Sequence, residues 1–171
     1  LYSLSNLQTS FGIILLSLVN GEPKTLSLKG LIEEFVKHRK EVITRRTQFD
    51  LKQSEERKHI VEGLRVALTH IDPVVQGIKG STSVDDARTF LINLYSLSEI
   101  QAQAILEMRL QRLTSLEIQK LEEEYHGLLT LIMQLQEILA DEQKIYGLIK
   151  QEMTSLIGEY GDERKTEILA G

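Results

Sequence analysis

The chain has 171 residues, with 20 Lys plus Arg against 25 Asp plus Glu and a formal charge of −5. An apolar share of 42% with 26% charged residues suits a folded chain and excludes a disordered tail, while the net acidity argues against a module that coats a duplex along its whole surface. There is no Cys, which excludes disulfides and Cys-based zinc sites and fits a reducing cytoplasm; the longest unbroken apolar run, residues 13–16, is far short of a membrane span. The chain does not begin with Met and reads as a piece of a larger cytosolic protein.

Residues 1–27 read as a connector built on a β-hairpin. The stretch SFGIILLSLVNGEPKTLSL is rich in aliphatic residues and is broken by Asn20-Gly21, a pair that tolerates the positive φ of a tight turn. Strands are expected near 11–19 and 24–27. A lone hairpin is marginal in water, so this one should pack on other parts of the parent protein.

Ser27 is placed to cap a helix, and neither Gly nor Pro interrupts residues 31–62. Residues 28–71 therefore predict one outgoing helix. Its apolar line passes through Phe35, Val42 and Phe49, with Arg39 and Arg46 as charged steps between them. Residues 72–116 predict a compact group of short helices. Asp72-Pro73 caps and restarts the chain, and Ser83 with Asp86, Ser98 with Gln101 and Thr114 with Glu117 each set a capping hydroxyl three residues before an acid or amide.

Residues 117–160 carry the most regular seam, including Tyr125, Ile132, Leu139, Ile149 and Leu156 at coiled-coil spacing. Glu142 interrupts it, and Asp141 can cap a fresh turn, so a kink is expected near 140. Residues 161–171 form a tail toward the parent. A helix this long spans roughly 65 Å at about 1.5 Å per residue, and burying one seam does not by itself offset the entropy of ordering it. The helix over 28–71 is the obvious partner, and a chain that goes out on one helix and returns on the other must pair them antiparallel.

The expected fold is thus mainly α: a long antiparallel two-helix coiled coil with a small helical domain at its tip and a short β-hairpin at its base. With Leu28 beside Tyr160, Arg46 falls opposite Glu142. The two are expected to form an interhelical ion pair, since burying either charge alone would be costly.

At the tip, one apolar stripe includes Leu97 and Ile100 and a second runs through Ala102, Leu106, Leu110 and Leu113. About forty residues bury poorly by themselves, and a second copy of the chain is the simplest cover. These six residues are therefore the expected homodimer interface. The alternative is that 72–113 buries both stripes unaided.

The strip FVKHRKEVITRRTQ concentrates cations, but its helical spacing turns several of them inward or sideways. Lys37 and Lys40, on outer faces, are the candidates for contact with a passing duplex. His38, His59, His70 and His126 form no H-E-x-x-H arrangement, and Glu122-Glu123-Glu124 reads as a solvated helix face. GIKG at 77–80 resembles the loop of single-strand-binding KH domains without the three-stranded sheet such a domain needs. No catalytic, cofactor-binding or metal-ligating residue is singled out.

The words LQTSFGI, GEPKTLSL, HRKEVITRRT, HIVEGLRVAL, EIQAQAILEMRLQRLTSLE and GDERKTEI follow one another in the order and rough spacing of bacterial type IIA DNA topoisomerase cleavage subunits. The chain resembles that family along essentially its whole length, most closely the gyrase branch, with the topoisomerase IV branch as the alternative. The resemblance implies a coiled-coil arm ending in a dimerisation domain that serves as the exit gate for a transported duplex.

It further implies a parent isomerase that passes one duplex through a double-strand break, using Mg and ATP. ATP is then expected on a partner ATPase subunit, with neither cofactor held by this stretch. The family's nucleophile is a Tyr preceded by Arg. None of Tyr2, Tyr95, Tyr125, Tyr146 and Tyr160 follows Arg, so no catalytic residue is carried over and the stretch alone should be inactive. Two other functions compete, a structural coiled-coil adaptor with no catalytic parent and a nucleic-acid-binding helical arm.

Overall fold

The computed structural model describes residues 1, 4–109 and 114–169. Among them the order is β1 (Leu15–Val19), β2 (Glu22–Leu26), α1 (Leu28–Thr69), α2 (Ile71–Gly80), α3 (Val84–Tyr95), α4 (Glu99–Leu106), α5 (Ser115–Ala140) and α6 (Glu142–Tyr160). The protein is mainly helical with one short antiparallel hairpin. It divides into two compact units, residues 1–44 with 145–171 and residues 45–144.

In the first unit, Asn20 and Gly21 both take positive φ, 54° and 81°, and close the hairpin. Leu15↔Leu26 is its outermost pair, so β1 begins four residues later than the aliphatic run suggests: a strand extends only as far as its partner. Pro23 lies within β2 opposite Leu18, tolerated because each strand of a two-stranded sheet has a free edge. Val19 is buried, whereas Leu16 and Leu18 point outward. Ser27 starts α1, its hydroxyl accepting from Gly30 N at 3.1 Å. Residues 28–44 of α1 lie against α6, antiparallel: Arg39 pairs with Glu152, and Lys40 sits over Tyr146 further back along α6. Ile43, Ile145 and Ile149 are buried.

In the second unit, the remainder of α1 lies against α5, also antiparallel, with Arg57 paired to Glu124 and Arg65 to Glu122. Helices α2, α3 and α4 complete it around a core of Val61, Leu64, Ala67, Val74, Leu91, Leu97, Ala102, Ile105 and Leu121. Ser83 accepts from Asp86 N, Ser98 forms a full capping box with Gln101, and Thr114 precedes α5 without a side-chain cap.

The long helix ends at Thr69, earlier than the expected boundary at 71, and α2 starts at Ile71 from His70, not from Asp72. Pro73 explains this. It has no N–H for the carbonyl of Thr69, so the break falls four residues before it, and the ladder resumes with Val74 N donating to His70 O at 3.0 Å.

The buried line of α1 also differs from the apolar line of the sequence. It follows Ile43, Thr47, Ser54, Val61 and Leu64, rotated by one residue over most of its length. Phe35 is exposed, Phe49 is 63% exposed and Val42 is half-buried. A small hydroxyl residue can face inward when it satisfies itself, as Ser54 does by donating to Asp50 O at 2.7 Å. On α5 Leu121, Ile132 and Leu135 are buried and Tyr125 and Leu139 half-buried. The helix then breaks at Asp141, which takes φ −128° and accepts from Gln143 N at 2.8 Å. Beyond the break Ile145 and Ile149 face inward, while Leu156 is exposed.

GIKG belongs to α2 and forms no loop. Gly77 is required there because a Cβ would lie 2.0 Å from the Phe90 ring, whereas one on Gly127 in α5 would meet nothing within 4 Å. Gly77→Ala is expected to destabilise the protein by about 1–3 kcal/mol and Gly127→Ala to stabilise it by up to about 1 kcal/mol, as read from denaturant midpoints.

Candidate interaction surface

The short helices arise from local capping, and their packing decides which apolar side chains remain outside. Leu97 and Ala102, expected at a dimer interface, are buried in the core of their own unit. Leu106 is half-buried against that core and lines an apolar groove with Val75, Ile78 and Met108. Ile100 is 63% exposed. Leu110 and Leu113 lie outside the described residues.

The two stripes read from sequence are thus divided differently, because Gln101 occupies the inward face of α4 at 8% exposure. Its Oε1 accepts from Ser98 N at 3.0 Å, and its Nε2 donates to His59 O at 2.8 Å. Pattern counting treats a Gln as solvent-facing. Capping geometry is the signal that could have placed it inside.

The helix pairing of the second unit carries a charge network. Arg57 grips Glu124 with both arms of its guanidinium, Nε to Oε1 at 2.6 Å and Nη2 to Oε2 at 3.0 Å. Arg65 Nε donates to Glu122 at 2.7 Å while its guanidinium lies 4.0 Å from the centre of the Tyr125 ring. The Tyr125 hydroxyl donates to Glu62 at 3.2 Å, and Lys58 approaches the same carboxylate at 3.3 Å.

The hydrogen bonds it donates to Glu124 hold Arg57 above the ordinary guanidinium range, against the opposing effect of burial and with the carboxylate charge adding to them. Glu122 raises Arg65 in the same way. Two members of the acidic triplet therefore serve between helices, while Glu123 is exposed. The sequence pattern read all three as a solvated face; the antiparallel register, carried to the far end of α1, is the signal that could have found them.

The strip at 37–46 is resolved residue by residue. Arg39 forms an interhelical ion pair with Glu152. Arg46 and Glu142 are both exposed, so neither carries the cost of a buried charge. Glu142 turns outward because the break at Asp141 makes it the first residue of α6. Lys37 is 67% exposed at its side chain and pairs with Glu34 at 3.8 Å. Lys40 is half-buried, its ammonium 5.9 Å from the Tyr146 ring centre. His59 bonds Ser98, His70 stacks on Tyr95, and His126 meets Tyr125 edge-on. Among the described residues no group of His, Asp and Glu is placed to hold a metal ion, and no helix is long and apolar enough to cross a membrane.

Paired long helices, a cluster of short ones and a single hairpin define the class by fold alone, a mainly helical chain. Its affiliation comes from comparison with known proteins. Residues 1–154 match the family of A subunits of DNA gyrase and topoisomerase IV, and the chain belongs to that family. It is 48% identical over 168 residues to the DNA gyrase A subunit of Clostridium acetobutylicum, covering 98% of this chain and 20% of that one. It is 51% identical over 170 residues to that of Halalkalibacterium halodurans, covering 99% and 20%, and 47% identical over 171 residues to that of Staphylococcus epidermidis, covering 100% and 19%. The chain spans about a fifth of the length of these relatives.

If the Arg57–Glu124 grip contributes as its geometry implies, a double-mutant cycle with R57A and E124A should give a coupling of about 0.5–1 kcal/mol at low ionic strength, shrinking as salt is added. A cycle with Lys37 and Glu34 should give close to nothing.

Proposed function

We propose that this chain is the paired-helix arm and exit-gate dimerisation region of a DNA gyrase A subunit. The parent would be a type IIA topoisomerase that uses ATP and Mg to pass one duplex through a double-strand break in another. ATP would be held on a partner ATPase subunit, and this region would contribute no catalytic group. Its work would be mechanical: two copies meet through the helical cluster of the second unit, hold the far end of a cavity closed, and separate to release the transported duplex.

The observation that carries this reading is the likeness of nearly the whole of this chain to a fifth of gyrase A subunits. The exposed Ile100, set beside a core that has already taken Leu97 and Ala102, supports it. With those two committed inward, the proposed contact surface narrows to Ile100 and Leu106 among the described residues, and Leu110 and Leu113 stay in the proposal on their sequence spacing alone. Lys37 remains a proposed contact for the passing duplex, and Lys40 is a weaker one because Tyr146 already engages it.

Ile100→Glu should raise the dimer dissociation constant at least about tenfold by sedimentation, with helix content unchanged. In the intact enzyme the same change should impair strand passage. A wild-type chain that stays monomeric at high micromolar concentration would sink the proposal, as would an I100E, L106E pair that dimerises with wild-type affinity.

A further inference from the structure

We propose that His59 is a proton-sensitive latch: while its ring is neutral it ties the start of α4 to α1, and when the ring takes up a second proton the tie opens. The argument rests on which atoms can donate. Gln101 Oε1 accepts from Ser98 N at 3.0 Å and Gln101 Nε2 donates to the carbonyl of His59 at 2.8 Å. A backbone N–H can only donate and a carbonyl can only accept, so the amide has one orientation. Its Nε2, a pure donor, also lies 3.4 Å from His59 Nδ1. Nδ1 must therefore be the bare nitrogen, and the neutral ring carries its proton on Nε2, which donates to Ser98 Oγ at 2.7 Å.

Ser98 Oγ in turn accepts from Gln101 N at 3.2 Å, closing a ring of bonds through the capping box of α4. The ring closes because position 63 is Gly: a Cβ there would lie 2.7 Å from Cβ and Cγ of Gln101. A proton added to Nδ1 would point an N–H at the amide N–H of Gln101, turning that contact from attraction to repulsion. His59 is exposed, so the charged ring can turn to water, and the tie between α1 and Ser98 goes with it.

The charges around the ring act in both directions. One turn away on α1 are Glu55, Glu56 and Glu62, which favour the charged ring, and next to it is Lys58, which opposes it. Glu62 is occupied by Lys58 and by the Tyr125 hydroxyl from α5. On α4, Glu99 favours the charge and the positive end of the helix at Ser98 opposes it. The connection 95–98 adds no carboxylate or basic side chain. Gln101 decides the outcome because its contact alone changes sign.

Because α4 carries Ile100 and Leu106, the latch would also tune the proposed dimer surface; that consequence rests on the function proposed above, whereas the latch does not. In the full chain, nitrogen NMR of the His59 ring at about pH 8 should show the Nε2–H tautomer. Between about pH 8 and pH 5.5, the intrinsic-rate-corrected protection of the Gln101 and Ala102 amides should fall about fivefold, and H59Q should remove this dependence. Q101E should reverse it, since a carboxylate accepts from the charged ring. An Nδ1–H tautomer, equal losses in H59Q and wild type, or a Q101E chain that behaves as wild type would overturn the latch. Dimer affinity that stays constant while protection falls would leave the latch standing and count against the placement of the dimer surface on α4.

Discussion

The rest of the structure depends on a helix of 42 residues that cannot be stable by itself. Helix formation in water is only weakly favourable per residue, so a segment this long persists through burial against neighbours. The structure supplies them within each unit: α6 beside residues 28–44 and α5 beside residues 45–69. The face that α1 presents is a lean one. Thr47 and Ser54 lie among its buried positions, and hydroxyls that are satisfied locally contribute little apolar area. A thin apolar seam tolerates sliding, because apolar contact has no direction. Directed bonds remove that freedom: a two-pronged guanidinium grip such as Arg57 on Glu124 is lost on any slip along the helix. Each such pair adds little stability, yet it specifies one alignment among several of similar burial.

The cluster around α2, α3 and α4 obeys a different constraint. Its helices are short, so their ends make up much of their length, and each unsatisfied end would cost more than the helix gains. Hydroxyls at Ser83 and Ser98 meet that demand locally. Close approach then requires missing side chains, at Gly77 beneath Phe90 and at Gly63 beneath Gln101. Leu91, Val74 and Ala102 can be fully enclosed by so small a cluster because the backbone elements come this near to one another.

Features governed by neighbours in sequence were legible from it. The Asn20-Gly21 turn, the caps at Ser27, Ser83 and Ser98, and the interruption at Asp141 each follow from side chains within a few residues of the backbone they satisfy. The antiparallel sense of the helix pairing was legible too, because it follows from chain connectivity. Where the rule depended on rotation about a helix axis, the reading drifted. One residue is 100° of an α-helix, and the large side chains Phe35 and Phe49 drew the seam toward themselves although Thr47 and Ser54 face inward. The same bias left Leu97 and Ala102 for a partner and gave no inward place to Gln101. Glu122 and Glu124 resembled a solvated face because their cations, Arg65 and Arg57, lie far away in sequence.

These displacements bear on how a gate built from this chain would work. A contact that must close firmly and open in each cycle cannot carry the apolar area of a permanent interface. Here the core of the second unit takes Leu97, Ala102 and Ile105 for itself and leaves Ile100 outside, on the first turn of a helix whose start is held by polar bonds. On the proposed reading, stability and association are then divided between neighbouring residues of one short helix, the inward ones serving the fold and the outward ones the partner. A change in the hydrogen bonds at Ser98 would move both sets together, since eight residues of helix are too few to bend independently of their cap. On that reading the polar start of α4, rather than its apolar face alone, is the place where association could be adjusted without substituting any residue that touches the partner.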